Sequence, residues 1–248
     1  MIPKIIHYCW FGRGEMPNLA FKCIQSWKKY LPEYEYKLWN EDSFDINTVP
    51  YVKEAYEARK YAFVTDYIRL YALYNEGGIY MDTDVEVLKP LDDLLILPAF
   101  SGYESNKHFN FPTGLMASLA HGVWVKEQLN YYTDRHFILS DGSLDMTTNT
   151  VTISRIMTEN GFKLNGEYQI YKNDMHCFPS DYFCPLTSTR ILKLTKNTYC
   201  IHHFAGSWRE KTNKEIIKLF ITQKILGSKL SNFLIQFKRL VVKIFYAK

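Results

Sequence analysis

The stretch Phe63–Asp84, FVTDYIRLYALYNEGGIYMDTD, decides the reading of the fold, because it holds a helix, its stop signal and a strand in one run. Tyr61 to Asn75 is a dense apolar and aromatic segment of helical length. Gly77-Gly78 ends it, since glycine supplies the backbone freedom that a helix C-terminus prefers. IYMDTDVEVL follows as a strand, closed by Pro90. Side chains alternate along an extended chain, so Asp82 and Asp84 are expected on one face, with Met81 and Thr83 pointing away. Two carboxylates on one face repel unless a cation or a basic group sits between them. Hard divalent ions such as Mg²⁺ or Mn²⁺ take oxygen ligands and keep positions open for substrate phosphates. A bare D-x-D is more often a surface turn with two solvated aspartates, so its surroundings decide.

Upstream, Asp66 and Arg69 are spaced i, i+3 and share a face of the helix, beside Leu70 and Leu73. An exposed pair of this kind is an ordinary, weak salt bridge. Here the helix runs straight into the aspartate strand, so both pairs are expected to face one space, as an acid and a base at the rim of a cleft.

Further towards the N-terminus, Lys4 to Phe11 is a short β-rich run ended by Gly12 and Gly14, which suits a buried first strand. A helix fits Asn18 to Leu31, with Ala20, Ile24, Trp27 and Leu31 on one face and Pro32 as its stop. Tyr34 to Trp39 alternates and reads as a second strand. Strand, helix, strand, helix, strand predicts an α/β sheet with parallel neighbours. Phe100 to Tyr199 is less periodic, with helices expected near Val123–Tyr132 and Val151–Asn160, the latter stopped by Gly161.

The character changes near the C-terminus. Lys214 to Lys248 carries eight basic residues and one acidic residue. Leu230, Phe233, Leu234, Phe237, Val241 and Ile244 line one helical face there, with bases largely elsewhere. A basic amphipathic segment suits an anionic membrane surface, each Lys or Arg adding about 1 kcal/mol. Nucleic-acid contact is disfavoured, because the bases alternate with aliphatics.

At 248 residues, 47% hydrophobic and 16% aromatic, the chain supports a packed core and is neither disordered nor fibrous. The five cysteines, Cys9, Cys23, Cys177, Cys184 and Cys200, show no C-x-x-C or zinc spacing and read as buried thiols of a reducing cytosol. No signal peptide is recognisable, and no apolar run is long enough to span a bilayer.

FVTDYIRLYALYNEGGIYMDTD closely resembles the signature of glycosyltransferase family 32, sugar transferases with a DXD motif. Three further blocks look like that family's: Ile2 to Gly12, Trp39-Asn40, and His202-His203-Phe-Ala-Gly206-Ser207-Trp208. The resemblance spans residues 1 to about 210 and is poor in detail from 100 to 200. It implies a GT-A fold, a Rossmann-like α/β/α sandwich, over residues 1–212, with 213–248 as a basic amphipathic membrane-association segment. It also implies roles. Tyr8 and Trp10 would line a nucleobase pocket, and Asp66 and Arg69 would contact ribose and donor-sugar hydroxyls. Asp82 would touch the ribose or the metal's water, and Asp84 would ligate the metal. His203 would be a further ligand, the His202-His203 doublet leaving the choice open, and Ser207 and Trp208 would close over the diphosphate. Asn149 and Asn110 are weaker candidates for contacts near the donor sugar, each equally a turn or cap residue.

The function implied is a retaining, metal-dependent transfer of a hexose to a lipid-linked glycan in capsular or surface polysaccharide synthesis. Mn²⁺, or Mg²⁺, would stabilise diphosphate departure. UDP-galactose is the expected donor, other UDP-hexoses and GDP-mannose following. The expected place is the cytoplasmic, inner face of the cell membrane, held peripherally. Two other classes compete. A phosphoryl or nucleotidyl transferase also uses paired aspartates but lacks a glycine-rich phosphate loop here. A non-catalytic carbohydrate-binding protein would explain the aromatics but not Asp66, Arg69 and a histidine together.

Overall fold

The first crossover forms as its sequence predicts. β1 (Ile5–Cys9) leads through α1 (Asn18–Tyr30) to β2 (Glu35–Trp39), parallel to β1 in register from Ile5↔Glu35 to Cys9↔Trp39. A helix not expected from the sequence, α2 (Pro50–Glu57), starts on a proline whose fixed φ suits a first helical position. It precedes α3 (Tyr61–Glu76), which ends at Gly77 as expected. β3 (Gly78–Met81) then pairs parallel to β1 on the side away from β2. The glycine pair is required there. Gly77 and Gly78 have φ of +66° and +105°, and a Cβ on Gly78 would lie 2.7 Å from the Ile5 carbonyl oxygen.

The chain continues through β4 (Val85–Val87), β5 (Ala99–Gly102), β6 (Leu115–Ser118), α4 (Val123–Asn130), α5 (Asn149–Glu159), β7 (Gln169–Tyr171), β8 (Met175–Phe178), α6 (Ser180–Phe183) and β9 (Cys200–His202). This computed structural model describes residues 1–104, 110–112, 114–186 and 192–206. Among the described residues, seven strands form one sheet in the order β2-β1-β3-β6-β5-β8-β7, and β4 pairs with β9 apart from it. Parallel neighbours hold for β2-β1-β3, but β6 runs antiparallel to both β3 and β5, so the sheet is mixed. The strand predicted over IYMDTDVEVL is corrected to two strands in two sheets, with Asp82–Asp84 between them.

Both faces of the sheet are covered. Ile6, Ile79, Met81 and Leu115 pack with Cys23 and Trp27 of α1 on one face. Tyr80, alternating to the other face, joins Phe63, Ile68, Leu73 and the Trp124 of α4. Trp27 also donates from Nε1 to the Val85 carbonyl at 2.6 Å, tying α1 to β4. His7 is fully buried. Its Nδ1 accepts from Trp39 Nε1 at 3.1 Å, so Nε2 carries the proton and donates to Gly77 O at 2.8 Å.

Met1–Ala205 forms one compact unit. The expected boundary at 212, residues Ser207 and Trp208, and the segment 213–248 lie outside the described residues. No described helix is long and apolar enough to cross a membrane. All five cysteines are buried and none is in a disulfide. Strand order reverses about β1, since β2 and β3 flank it, and the carboxyl ends beside such a switch point are where open α/β sheets bind ligands. Asp82 follows the carboxyl end of β3.

Candidate active site

The D-T-D segment is a turn, not an alternating strand. Asp82 N donates to Gly114 O at 2.8 Å, which holds it to the start of β6. Val85 N then bonds Asp82 O at 3.0 Å, and the chain turns into β4. The two carboxylates still converge, by the turn rather than by the pleat. β9 lies antiparallel on β4 with Val85 opposite His202. His202 Nε2 is 3.4 Å from Asp84 Oδ1 and 3.9 Å from Asp82 Oδ2. Donor atoms of Asp82, Asp84 and His202 all lie within 4.8 Å of one another.

That geometry turns His202, not His203, towards the aspartates. His203 points away and bonds Glu86 Oε2 from Nε2 at 2.9 Å, while only its backbone N–H reaches Asp84 O. Successive residues leaving a strand face opposite sides, so only one of the doublet can meet the aspartates. The register of β9 makes it His202.

These residues fit a divalent ion. Two carboxylates and one imidazole form an O, O, N donor set, and Gly114 leaves the space beside them. A Cβ on Gly114 would stand 2.7 Å from Asp82 Oδ2 and 3.1 Å from His202 Nε2. Burial alone would raise Asp84, but the bond and charge of His202, with Ala205 N at 2.7 Å, hold it down at about 2. Burial alone would lower His202; its bonds and charge contacts to Asp84 outweigh that and raise it well above the usual imidazole range. Without an ion the two are an ion pair. The ring of Phe204 packs on His202 with centroids 4.2 Å apart.

Behind the turn stands α3. Arg69 Nη2 is 3.3 Å from Asp66 Oδ1 and 3.4 Å from Asp82 Oδ1, and its guanidinium lies 4.6 Å over the Tyr80 ring. Tyr80 donates to Asp82 Oδ1 at 2.8 Å. The helix pair therefore does face the aspartates, but from a buried position beneath them instead of a cleft rim, at 7% and 8% exposure for Asp66 and Arg69. Burial pushes Asp66 up to about 6, against the opposing pull of Arg69 and of the Asn149 amide.

Asn149 opens α5 and donates its backbone N–H to Asp66 Oδ2 at 3.0 Å. Its side-chain Nδ2 is buried and has no hydrogen-bond partner among the described residues. Tyr8 is half-buried, edge-on to Trp27 at 5.6 Å, and packs with the α1-side core. Trp10, just past β1, donates from Nε1 to Gly14 O at 2.6 Å. Three residues had no signal in the sequence. Gly114 is one. Glu104, past β5, bonds Asn110 through its side chain and feels the charges of His202, Asp82 and Arg69; burial raises it. Cys184 hydrogen-bonds His202 and lies 2.8 Å from Glu104 O. They come from loops without periodicity and meet only through the sheet.

Residues 17–100 match the sequence model described as a glycosyltransferase sugar-binding region containing DXD motif. The inositol phosphoceramide mannosyltransferase 3 of Schizosaccharomyces pombe is 37% identical over 103 residues, 40% of this chain and 29% of that protein. The chain thus aligns with less than a third of that relative. An uncharacterised glycosyltransferase of Acanthamoeba polyphaga mimivirus is 27% identical over 246 residues, covering 91% of this chain and 90% of its own length. Among solved structures, a glycosyltransferase involved in glycosylating the major capsid of PBCV-1 superposes with TM-score 0.52 at 13% identity, covering 83% of this chain and 95% of that one. Residues 17–100 thus match a glycosyltransferase sugar-binding region with a DXD motif, on a mixed α/β fold like that of the PBCV-1 capsid glycosyltransferase.

Proposed function

We propose that the chain moves a hexose from a nucleoside diphosphate to a glycan acceptor, with a divalent ion at the D-T-D turn. The observation that carries this reading is the convergence of Asp82, Asp84 and His202 with Arg69 and Asp66 behind them. Asp84 and His202 would hold the ion from the β4–β9 side and Asp82 from the β3 side; Mn²⁺ suits the mixed O/N set, with Mg²⁺ second. When bound, such an ion supplies Lewis-acid stabilisation to the departing diphosphate.

The remaining roles belong to the chain's own groups. Tyr80 and Arg69 fix Asp82 in place. Asp66, ionised above about pH 6, accepts from donor-sugar hydroxyls, and the partnerless Asn149 Nδ2 donates to one. A buried amide left unpaired is costly, so a ligand that pairs it gains that energy back. Trp10, with Tyr8, lies nearest the nucleobase; Ser207 and Trp208 close the diphosphate side, a role that rests on sequence alone. As the bond from the anomeric carbon to the diphosphate breaks, its electron pair leaves with the phosphate oxygen, and the acceptor oxygen bonds that carbon with retention while its proton passes to the departing phosphate oxygen.

For the donor, GDP-mannose moves ahead of the UDP-galactose expected from sequence, a choice supported by the Schizosaccharomyces pombe relative being an inositol phosphoceramide mannosyltransferase. Its name also specifies a lipid-borne acceptor, which supports a lipid-linked glycan here; a capsular role has no support beyond the sequence reading. The segment 213–248 would hold the chain peripherally on the inner membrane face. The test is a panel of GDP-mannose, UDP-galactose and UDP-glucose with lipid-linked saccharides, read by mass spectrometry with and without Mn²⁺. Product in one donor arm with Mn²⁺ supports the reading. Donor binding without turnover in every arm would favour a carbohydrate-binding protein instead.

A further inference from the structure

β1 and β2 end level, with Cys9 opposite Trp39, and Trp10 N still bonds Trp39 O at 2.9 Å. The loops that leave them, 10–14 and 40–43, therefore start side by side. On its other side β1 pairs with β3 through His7↔Tyr80. Two residues further along these parallel strands Cys9 comes level with Asp82. The loop from Trp10 thus begins about one strand spacing, roughly 5 Å, from the D-T-D turn.

That loop is held in a form its own sequence does not favour. Gly12 and Arg13 are consecutive residues at φ of +95° and +58°, and the second carries a side chain. A non-glycine residue stays in this region only where its surroundings over-determine it. Here the loop after β2 supplies two adjacent carboxylates. Glu41 Oε1 accepts from Gly12 N at 2.7 Å, and Asp42 takes both terminal nitrogens of Arg13 at 2.9 and 2.6 Å. The Arg13–Asp42 pair is open to water, at 60% and 66% side-chain exposure, so it holds little. Glu41 is only 10% exposed, and Tyr56 of α2 donates to the same Oε1 at 2.9 Å. On its other side Gly12 lies against Tyr61, where a Cβ would stand 2.4 Å from the ring. Trp10 closes the turn by donating from Nε1 to Gly14 O at 2.6 Å, so the course of Gly12 and Arg13 sets where the indole lies. Glu41 stands outside the Asp82, Asp84, His202 group that could hold an ion.

Resting on the hexosyl-transfer reading, which puts Trp10 nearest the nucleobase, we propose that Glu41 is a positioning residue for the donor. It fixes the Gly12–Arg13 turn and, through Gly14 O, the plane of the Trp10 indole on which the base stacks. The diphosphate belongs to the ion at the D-T-D turn, so Glu41 acts on the base half of the donor alone. The role asks for an acceptor oxygen and not for a charge. A glutamine Oε1 can take both bonds, whereas alanine leaves Gly12 N and the Tyr56 hydroxyl without that partner.

Calorimetric titration with GDP, UDP and inorganic pyrophosphate, each with Mn²⁺, separates the two halves. Trp10→Ala is expected to weaken the nucleoside diphosphate that the wild type binds by about tenfold or more, the loss of one stacked base. Glu41→Ala is expected to weaken it about tenfold and to leave pyrophosphate within about twofold of wild type. Glu41→Gln is expected to bind both within about threefold of wild type. Because Glu41 acts through the indole, the double variant Glu41→Ala with Trp10→Ala is expected to bind no more weakly than Trp10→Ala alone. Gly12→Ala, which drives the turn off Tyr61 with Glu41 intact, is expected to show the same selective loss. Unaltered nucleotide binding by Glu41→Ala or by Trp10→Ala overturns the role, as does an equal loss of pyrophosphate, or losses that add in the double variant. Should Glu41→Ala fail to fold, normal nucleotide binding by Gly12→Ala overturns it. A wild type that binds pyrophosphate but neither nucleoside diphosphate would instead overturn the nucleotide-sugar reading itself.

Discussion

At the scale of single residues, the ion-free pair of Asp84 and His202 sets a pH rule for the ion. His202 is held protonated by Asp84, and an imidazole must lose that proton to ligate. Ion binding is therefore expected to release about one proton, and Mn²⁺ affinity to rise about tenfold per pH unit while His202 is charged. Calorimetry in two buffers of different ionisation enthalpy measures it; no proton released would contradict the pair. His202→Ala is expected to weaken Mn²⁺ at least about tenfold, whereas His203→Ala removes only the partly exposed bond to Glu86, worth about 1 kcal/mol or less. Asp66 adds a second pH dependence. Its carboxylate titrates near 6, so donor KM is expected to rise as pH falls through that value, and Asp66→Asn to lose the acid limb. The residue types of this site were legible in the sequence, because D-x-D, the i, i+3 pair and the histidine doublet are local patterns. Which histidine faces the aspartates was not. It follows from the pairing of Val85 with His202, residues far apart in the chain.

At the scale of elements, the apolar rhythm of IYMDTDVEVL continues across a break that only distant contacts impose. Asp82 N on Gly114 O and β9 on β4 divide one apparent strand between two sheets. The same contacts make Gly114 a sharp test. Gly114→Ala would place a methyl 2.7 Å from Asp82 Oδ2, so Mn²⁺ binding is expected to fail while the far-ultraviolet circular dichroism stays that of the wild type. His7 is the buried clasp of β1, β2 and the end of α3. Burial lowers its folded pKa below the unfolded value near 6.5, so the unfolded chain binds more protons in acid. The stability His7 contributes is thus complete above about pH 6.5 and is lost as pH falls towards the folded pKa. Denaturant melts of wild type and His7→Gln at pH 7.5 and 5.5 test it: the difference between them should shrink in acid. α2 and the antiparallel β6 were not legible, since neither direction of pairing nor a short helix begun on proline leaves a distinctive period.

For the whole molecule, the β-α-β beginning and the parallel triad β2-β1-β3 follow from hydrophobic patterning, and the GT-A architecture from four short blocks in order. The region from 100 to 200 carries Gly114, beside Asp82 and His202, and Asn149, beside Asp66, and its weak periodicity hid both placements. The segment 213–248 belongs to the account through its charge pattern alone. Its deletion is expected to release the protein from anionic vesicles without lowering transfer to a soluble acceptor; unchanged co-sedimentation would remove the membrane role. The central claim is that Asp84 sits in an ion site that drives departure of a sugar-bound diphosphate. Release of nucleoside diphosphate from GDP-mannose or a UDP-hexose, with a lipid-linked acceptor, tests it most directly when wild type and Asp84→Asn are compared with Mn²⁺ and after chelation. The account predicts release by the wild type with Mn²⁺ only, and a loss of at least about 100-fold in Asp84→Asn. Equal release by the variant, or by chelated wild type, would contradict it.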